Sequence, residues 1–421
     1  MTASHNANLY DVLAERGLVS QCTDDKIRDR LARPVAAYCG FDPTADSLHV
    51  GSLVPIMGLA HLQRCGHKPV VLVGGATGLV GDPSGKTEAR QMLSAEDINQ
   101  NAQAIAKQIG RVVDFNDSDT GAILVNNLDW FGEMKWLDML RDVGSRMSVN
   151  RMMSMESVKG RMSGDGEGIS FLEFSYMLLQ GYDFAHLYDA HRCTLQIGGQ
   201  DQWGNIVIGI DLGRRLHDAD LAGLTFPLVT KSDGGKFGKS EQGNVWLDAN
   251  RTSVFDFYQF WRNVDDKDVG RFLGYFTFLP MNEVAELASA EGKAINESKI
   301  RLAYEVTKLV HGEAEANQAR DSAGKAFSDQ RDLTGDAIPH ADFYESEVDG
   351  QLLIALMSRA GRLAASNGEA RRFIKGGGVR LNGEKVQDVT YALTLADVKD
   401  DAIVIQVGKK KFFRYDVKRG L

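Results

Sequence analysis

The stretch YCGFDPTADSLHVGS, residues 38–52, has the pattern of a strand that is joined to a helix by a short loop. A β-rich run ends near Asp42, a loop containing a proline follows, and helical spacing begins near Gly51. A helix start offers unpaired N–H groups and the positive end of a dipole, which suit a phosphate, and His49 and Thr44 would reach the same place. A lone histidine here would more simply belong to an ordinary strand–loop–helix corner, but the whole string favours a ligand site.

The sequence around this stretch alternates between short β-rich runs and longer helical segments, from about residue 34 to 230. The β-rich runs are Ala36–Phe41, Pro69–Gly74, Ala122–Asn126 and Cys193–Ile197, and the helical segments include Ala95–Ile109 and Asp201–Leu216. This alternation predicts an α/β fold, with a Rossmann-like parallel sheet wrapped by helices over residues 1–230. In such a sheet, ligands bind beyond the carboxyl ends of the strands.

Three further segments follow the first domain. Residues 231–330 begin with a loop rich in glycine and lysine and then read as an α-helical domain, with apolar residues at core spacing. Residues 331–350 are acidic and irregular, which predicts a linker. Residues 351–421 form a small basic module that is predicted to be α+β.

The charge of the chain is spread unevenly. In the last module, fourteen Lys/Arg against seven Asp/Glu give +7, and because the whole chain carries −9, the rest carries −16. A basic module on an acidic body predicts a polyanion partner that is bound by one end of the chain. A lysine-rich soluble domain would have the same composition, so charge alone leaves both interpretations open.

Composition and short-range patterns argue against several classes of protein. A length of 421 residues predicts two or three domains, and 43% apolar with 25% charged residues is typical of a soluble globular protein. Apolar runs are short and the N-terminus lacks a basic region followed by an apolar stretch, so neither a membrane span nor a secretory signal is predicted. The four cysteines form no C-x-x-C pair, which disfavours a zinc site or a disulfide framework and fits a reducing cytoplasm.

A glycine-rich stretch at residues 74–87, GGATGLVGDPSGKT, has to be tested as a phosphate-binding loop. That motif is G-x-x-x-x-G-K-[ST], and Val80 stands where its first glycine is required. The nearest glycine is one residue too close, so the ring of amides has the wrong size for a Walker-type ATPase. Asp82 could instead pair with a substrate ammonium, and Lys86 and Arg90 could share one helical face as cations.

Polar residues at helical spacing lie within residues 174–183, FSYMLLQGYD. Tyr176, Gln180 and Asp183 are related as i, i+4 and i+7, which places them on one face of a helix. Set between apolar residues, they could form the polar wall of a pocket. A solvated helix face is the simpler interpretation of this pattern alone.

Residues 195–205, LQIGGQDQWGN, read as a strand that ends in a Gly-Gly turn. Asp201 stands where a helix cap belongs, and an ordinary N-cap would explain it. A carboxylate in that position can also accept a hydrogen bond from a ribose hydroxyl, so a nucleotide contact remains a second interpretation.

Residues 231–240, KSDGGKFGKS, contain three glycines and three lysines and little apolar surface. This composition predicts a mobile cationic loop. It could be a solvated surface loop, or a clamp that closes on a triphosphate.

Together, these five stretches resemble the class I aminoacyl-tRNA synthetases. Residues 38–52 resemble the HIGH signature and residues 231–240 the KMSKS signature of that class, and the residues around them narrow the resemblance to the tyrosyl enzymes of bacterial type. The match is detailed from Tyr38 to Ser240 and looser over the rest of the chain. In the basic module, residues 371–383, RRFIKGGGVRLNG, resemble a small RNA-binding module that is also found in a ribosomal protein.

The resemblance implies a tyrosine–tRNA ligase activity with tyrosine, ATP and tRNA(Tyr) as substrates. The carboxylate of tyrosine would attack the α-phosphate of ATP, and the terminal adenosine of the tRNA would then attack the activated carbonyl. Mg²⁺ would be bound with ATP, and no tightly bound protein metal is expected. The resemblance also implies a cytoplasmic homodimer without membrane or DNA partners, an anticodon-binding helical domain and an RNA-binding basic module.

The resemblance assigns roles to the matching positions. Those that would bind tyrosine are Tyr38 and Asp183 at the phenolic hydroxyl, Asp82, Tyr176 and Gln180 at the ammonium, and Gln196 and Gln202 along the pocket, with Gln202 near the carboxylate. Those that would bind ATP are Cys39 and Asp201 at the ribose, Gly40, Asp42, Gly51 and Ser52 beside the nucleotide, and Thr44 and His49 at the phosphates. Those that would act on the leaving pyrophosphate are Lys86, Arg90, Lys236, Lys239 and Ser240.

Three positions depart from the usual signatures. Ser52 stands where the HIGH signature ends in histidine, although a hydroxyl can still donate a hydrogen bond. Phe237 and Gly238 replace Met and Ser in the second signature, where they would shape the loop more than the chemistry.

Two other functions compete with this interpretation. The nearest is a tryptophanyl enzyme, but an indole has no phenolic group to satisfy Tyr38 and Asp183. The other is a nucleotide-binding RNA regulator that has lost catalysis, which the presence of Lys236, Lys239 and His49 disfavours.

Overall fold

The computed structural model describes residues 7–82, 93–162, 168–230, 232, 237–240, 243–327, 339–359, 363–408 and 411–418. The chain divides into two compact units, the first made of Met1–Arg251 with Val264–Ser298 and the second of Thr252–Asn263 with Lys299–Leu421. Within the described residues, none of the helices combines the length and the apolar character that crossing a membrane would require.

A six-stranded sheet forms the centre of the first unit. Its strands are β1 (Gln21–Cys22), β2 (Ala36–Phe41), β3 (Lys68–Val73), β4 (Ile123–Asn126), β5 (Cys193–Gly199) and β6 (Ala222–Phe226). They lie in the order β1-β6-β5-β2-β3-β4, and all neighbours are parallel except the antiparallel pair of β1 and β6. The predicted parallel sheet is therefore confirmed. The sequence pattern does not predict β6, because its residues AGLTF include a single β-branched side chain.

Helices and one short strand pair are also found among the described residues up to residue 327. The pair is β7 (Lys239–Ser240) with β8 (Gly243–Asn244), and the helices are α1 (Leu9–Glu15), α2 (Ile27–Arg30), α3 (Leu53–Arg64), α4 (Gly75–Val80), α5 (Ala95–Ile109), α6 (Leu128–Phe131), α7 (Trp136–Asp138), α8 (Val149–Met153), α9 (Glu156–Met162), α10 (Phe171–His191), α11 (Trp203–His217), α12 (Val254–Arg262), α13 (Val269–Phe276), α14 (Met281–Ala288), α15 (Ile295–His311) and α16 (Glu313–Phe327).

Side-chain caps explain where two of these helices begin. The Ser94 hydroxyl accepts from the backbone N–H of Asp97 at the start of α5, and Ser170 forms a capping box with Glu173 at the start of α10. The predicted helix Ala95–Ile109 coincides with α5, whereas the helix expected from Asp201 begins two residues later as α11.

The helices after residue 252 confirm the predicted helical content but belong to two units. Helices α13 and α14 lie in the first unit, α12 and α16 lie in the second, and α15 begins in the first and continues in the second. The described helices of the predicted segment 231–330 are therefore divided between the two units. Local periodicity predicts a helix, but only packing decides which core it joins.

The C-terminal region contains a second sheet with its own core. Its elements are β9 (His340–Tyr344), α17 (Glu345–Val348), α18 (Leu353–Ser358), α19 (Asn367–Lys375), β10 (Val379–Leu381), β11 (Glu384–Val386), β12 (Ala402–Val407) and β13 (Lys411–Lys418). The strand order is β11-β10-β12-β13-β9, with β9 parallel to β13 and the other pairs antiparallel. The predicted α+β character is confirmed. Because β9 lies inside the predicted linker, residues 331–350, the region begins upstream of residue 351.

Candidate active site

A cavity of about 820 Å³ opens at the carboxyl ends of β2 and β5. The strands β2, β3 and β4 follow one another toward one edge of the sheet. The chain then returns and forms β5 next to β2, on the side away from β3. Such a reversal of strand order leaves a crevice where ligands bind in open α/β sheets. The site expected beyond the strand ends therefore coincides with a real cavity.

The phenolic hydroxyl of Tyr38 lies buried at this cavity. The residue is 1% exposed, and its ring packs edge-on against Phe184 with centroids 5.2 Å apart. Among the described residues, its hydroxyl oxygen has no hydrogen-bond partner. Burial, and secondarily the charge of Asp183, raise the pKa of Tyr38 well above its ordinary value, so the hydroxyl keeps its proton and can donate it to a ligand.

Asp183 lies in the same cavity wall and is held by two donors. Its Oδ1 accepts from Trp130 Nε1 at 3.0 Å and its Oδ2 accepts from Asn127 Nδ2 at 3.1 Å. Burial raises the pKa of Asp183 to about 8, although both hydrogen bonds oppose that rise. The carboxyl group is thus fixed in orientation and kept away from water.

Asn127 and Trp130 hold a predicted site residue in place, and the sequence motifs missed both of them. Asn127 follows β4 directly and Trp130 lies in α6, at the same edge of the sheet as the other site residues. Trp130 also stacks on His186 from α10, with ring centroids 4.3 Å apart. The signal was available, because polar side chains directly after a parallel strand point toward the ligand edge.

Asp42 and Tyr176 are joined directly. The hydroxyl of Tyr176 donates to Asp42 Oδ2 at 2.8 Å, and Thr77 Oγ1 donates to Asp42 Oδ1 at 2.7 Å. Asn127 Nδ2 in turn lies 3.1 Å from Thr77 Oγ1. A continuous hydrogen-bond chain therefore runs from Asp183 through Asn127 and Thr77 to Asp42 and Tyr176.

Gln202 bridges two carboxylates that line the cavity. Its Nε2 donates to Asp82 Oδ2 at 2.7 Å and to Asp201 Oδ2 at 3.2 Å, and its Oε1 accepts from Asn205 Nδ2 at 3.2 Å. With Asp42, these side chains give the cavity an acidic lining that suits a ligand ammonium.

Two glutamines add acceptors to the same cavity. Gln180 Oε1 and Gln196 Oε1 are buried, and no hydrogen bond to either is found among the described residues. Both residues line the cavity. Buried acceptors without donors are costly to a protein, and donors on a bound ligand would satisfy them.

His49 marks the side of the cavity suited to phosphate. Its Nδ1 accepts from the backbone N–H of Gly51 at 3.0 Å, which leaves Nε2 as the nitrogen that carries the proton in a neutral ring. Desolvation lowers the pKa of His49, which favours that neutral form. A Cβ on Gly51 would lie 2.7 Å from His49 Cε1, so the glycine makes room for the histidine ring.

The second signature is described only in part. Lys86, Arg90 and Lys236 lie outside the described residues, and of Lys239 and Ser240 only the backbone, in β7, is described.

Phe237 packs the described part of this loop against α13. Its ring packs against Phe272 with centroids 5.0 Å apart and stacks on Phe276 at 5.7 Å, both from α13. Gly238, at φ +80°, lies where a Cβ would come within 3.1 Å of Val50. Gly238 therefore lies beside the first signature.

The remaining predicted site residues all line this one cavity. They are Tyr38, Cys39, Gly40, Asp42, Thr44, His49, Gly51, Ser52, Asp82, Tyr176, Gln180, Asp183, Gln196, Asp201 and Gln202. The solvated-face interpretation of α10 is thus wrong, because Tyr176 and Asp183 are buried in the cavity wall. The Walker-loop interpretation finds no support either, since residues 75–80 form the helix α4.

Comparisons with known proteins agree over nearly the whole chain. The family model for class I tRNA synthetases (W and Y) matches residues 30–328, and the model for the tyrosine–tRNA ligase SYY-like C-terminal domain matches residues 332–415. Proteins named tyrosine–tRNA ligase from Clostridium botulinum and Clostridium kluyveri are each 46% identical over 98% of this chain and 100% of their own length.

A solved structure adds a likeness in three dimensions. A C-terminally truncated mitochondrial tyrosyl-tRNA synthetase from Aspergillus nidulans is 31% identical, with a TM-score of 0.68 over 76% of this chain and 94% of that one. The chain belongs to the class I tRNA synthetases, in the tyrosine–tRNA ligase branch of that family.

Proposed function

We propose that the cavity activates tyrosine with ATP, forming tyrosyl-adenylate and pyrophosphate, and that the chain then transfers tyrosine to the 3′-terminal adenosine of tRNA(Tyr). The observation that carries this proposal is the pairing of Tyr38 with Asp183. One offers a buried hydroxyl without a partner among the described residues, and the other a buried carboxyl held by two donors. Both would face the para-hydroxyl of a bound tyrosine.

Selectivity for tyrosine follows because any other amino acid would leave those two groups without a hydrogen-bond partner on the ligand. A site built to hydrogen-bond a hydroxyl rejects the analogue that lacks it by about 10⁴–10⁵, and the tyrosyl enzyme is the established example of this effect. Phenylalanine would leave both Tyr38 and Asp183 buried without a ligand partner. Tryptophan would bring an indole N–H but no para-hydroxyl.

The ammonium of tyrosine would lie among the acidic side chains of the cavity. Asp82 and Gln202 are already hydrogen-bonded to each other, so Gln202 holds the carboxylate of Asp82 in place. Gln180 supplies a buried acceptor, and Tyr176 would accept from the ammonium through its hydroxyl oxygen while its own O–H still donates to Asp42. Gln196 would complete the pocket wall.

The ATP side would be formed by Cys39, Gly40, Asp201 and the loop that ends at His49. A neutral His49 would donate through Nε2 to a phosphate oxygen, and Thr44, Gly51 and Ser52 lie around it. Attack by the tyrosine carboxylate on the α-phosphate needs positioning and neutralisation of charge rather than a covalent nucleophile. Lys86, Arg90, Lys236, Lys239 and Ser240 would act on the leaving pyrophosphate, and Mg²⁺ would enter on the ATP phosphates.

The helical part of the second unit and the basic C-terminal region would hold tRNA(Tyr). RNA of this kind is bound largely through its shape and backbone, so positive charge is the main requirement. The fourteen Lys/Arg after residue 350 supply it. The anticodon would be bound by the helical part, including α12 and α16.

A homodimer in the cytoplasm is part of the same proposal. Apolar side chains are exposed on the first unit at Trp136, Leu137 and Phe171, which are 58%, 74% and 67% exposed, and Trp136 contacts Phe171 with centroids 6.4 Å apart. An apolar patch of this kind suits a second copy. Replacing Leu137 and Phe171 with aspartate should shift the sedimentation coefficient to that of a monomer, and an unchanged value would refute this contact.

The decisive experiment is pyrophosphate exchange into ATP, run with each of the twenty amino acids. Tyrosine alone should support rapid exchange, and phenylalanine should be slower by several orders of magnitude. Exchange driven best by another amino acid would overturn the proposed substrate. Exchange with none would overturn the adenylation step itself.

A further inference from the structure

Gln108 holds the loop of the first signature from outside the cavity. This residue of α5 is 6% exposed, its Oε1 accepts from the backbone N–H of Leu48 at 2.9 Å, and its Nε2 donates to the carbonyl of Asp46 at 3.2 Å. An N–H can only donate and a carbonyl can only accept, so the orientation of the carboxamide is determined. The Gln108 side chain thus forms hydrogen bonds with the loop backbone at two residues.

Asn101, on the same helix, forms a further hydrogen bond with the loop backbone. Its Nδ2 donates to the carbonyl of Pro43 at 3.1 Å. Asn101 and Gln108 are seven residues apart, or two helical turns, so they lie on one face of α5. The hydrogen bond of Asn101 is to the residue just before Thr44, and one hydrogen bond of Gln108 is to the residue just before His49.

The loop residues next to Gln108 also form hydrogen bonds with the segment that follows the second signature. The hydroxyl of Ser47 donates to the carbonyl of Leu48 at 2.8 Å, lies 3.3 Å from Gln108 Oε1, and accepts from the backbone N–H of Asp248 at 3.1 Å. The backbone N–H of Leu247 donates to Leu48 O at 2.8 Å. A shift of the loop at Leu48 would therefore be felt on both sides of the ATP phosphates.

We propose that Gln108 is a positioning residue for the activation step, which rests on the proposed function of the cavity. It does not line the cavity and would touch neither tyrosine nor ATP. It holds residues 46–48 in place, and through them it sets where Thr44 and His49 meet the phosphates.

The expected effect is one on rate. Without the carboxamide, the buried N–H of Leu48 loses its partner, and the loop relaxes toward another arrangement. A displacement of about 1 Å in a group that positions a reacting phosphate can lower a rate by up to about a hundredfold. The tyrosine end is built on other elements and should keep its affinity.

The first test compares Gln108→Met with Gln103→Met in the full chain. Gln103 is exposed on the same helix, so it serves as the matched control. Gln108→Met should lower the kcat/KM of pyrophosphate exchange for ATP by about tenfold or more. Tyrosine affinity, measured by equilibrium dialysis without ATP, should change by less than about twofold, a difference too small to reflect a lost hydrogen bond. Unchanged exchange, or an equal loss of tyrosine affinity, would overturn the proposal.

Two further variants separate positioning from a purely structural role. In Gln108→Glu, a protonated carboxyl can donate to Asp46 and accept from Leu48 as the amide does, so the rate relative to the parent should rise as the pH falls from about 8 to 6. In a His49→Asn background, Gln108→Met should cost much less than in the parent, because both changes disturb the same contact. Equal fold losses in the two backgrounds would contradict action through His49.

Failure of this inference can be told from failure of the proposed function. If the parent chain supports no tyrosine-dependent exchange, the proposed function is wrong, and the positioning role of Gln108 in activation is overturned with it. If the parent exchanges normally and Gln108→Met does too, only the positioning role of Gln108 is wrong.

Discussion

The hydroxyl of Tyr176 donates a hydrogen bond to Asp42 Oδ2 across 2.8 Å, and the two residues are 134 positions apart in the chain. Tyr176 belongs to the proposed ammonium site and Asp42 to the proposed nucleotide site. The two halves of the substrate pocket therefore share one hydrogen bond, and a change in either residue should be felt by both substrates.

Replacement of Tyr176 with phenylalanine tests this link. The change removes the donor to Asp42, and hydrogen bonds to charged groups contribute about 1.5–3 kcal/mol. We expect the KM for tyrosine to rise by about tenfold and the KM for ATP to rise as well, both measured by pyrophosphate exchange. Tyr182→Phe, on the same helix but away from the cavity lining, should change neither. A rise in only one of the two values would mean that the sites are independent.

Replacement of Asp183 with asparagine should alter how stability depends on pH. Burial raises the pKa of Asp183 from 3.8 to about 8, so between these values the folded chain binds more protons than the unfolded chain. This group therefore makes the free energy of unfolding fall as the pH rises through that window. Asp183→Asn should narrow the difference in Tm between pH 5 and pH 8, as measured by calorimetry, while tyrosine activation is lost.

Asp189→Asn provides the control for that measurement. Asp189 lies on the same helix but is exposed, so its replacement should leave the pH dependence of Tm as it is in the parent. An Asp183→Asn variant with the parent's pH dependence would show that the carboxyl group titrates normally.

Replacement of Phe237 with alanine should loosen the second signature. Phe237 stacks on Phe276 with an interplanar angle of 9°, and this contact ties the loop to α13. We expect the kcat of exchange to fall by about tenfold while tyrosine binding is unchanged, because the loop would act on ATP alone. Phe237→Met should restore most of the rate, since methionine adapts to irregular apolar sites. A loss of tyrosine affinity in Phe237→Ala would contradict this assignment.

Removal of the C-terminal region should separate the two steps of the reaction. A chain that ends at residue 327 should keep tyrosine-dependent exchange and lose most tRNA charging, which aminoacylation of tRNA(Tyr) would measure. A chain that ends at residue 350 would keep β9 without its partner β13, and an unpaired strand invites aggregation. The chain that ends at residue 350 should therefore be the less soluble of the two, and the reverse order would show that β9 is stable alone.

Much of the first unit can be predicted from local patterns. The run Ala36–Phe41 coincides with β2 and Ala95–Ile109 with α5, because strand and helix periodicity and the Ser94 cap are encoded within a few residues. The spacing of Tyr176, Gln180 and Asp183 was also sufficient to place them on one face. The spacing does not predict whether that face meets water or a cavity, because this depends on how α10 packs in the folded chain.

The motifs, the type of each main element and the family resemblance can be read from the sequence alone, because these depend on residues that are near one another in the chain. The folded structure is needed to see that Asn127 and Trp130 hold Asp183, that Thr77 holds Asp42, and that β9 joins a sheet from within an apparent linker. These contacts join positions 35 to 74 residues apart, the largest separation being that of the strand partners Arg414 and His340. No local pattern specifies such a pairing, because a hydrogen bond depends on the distance and angle between groups that only the assembled core brings together.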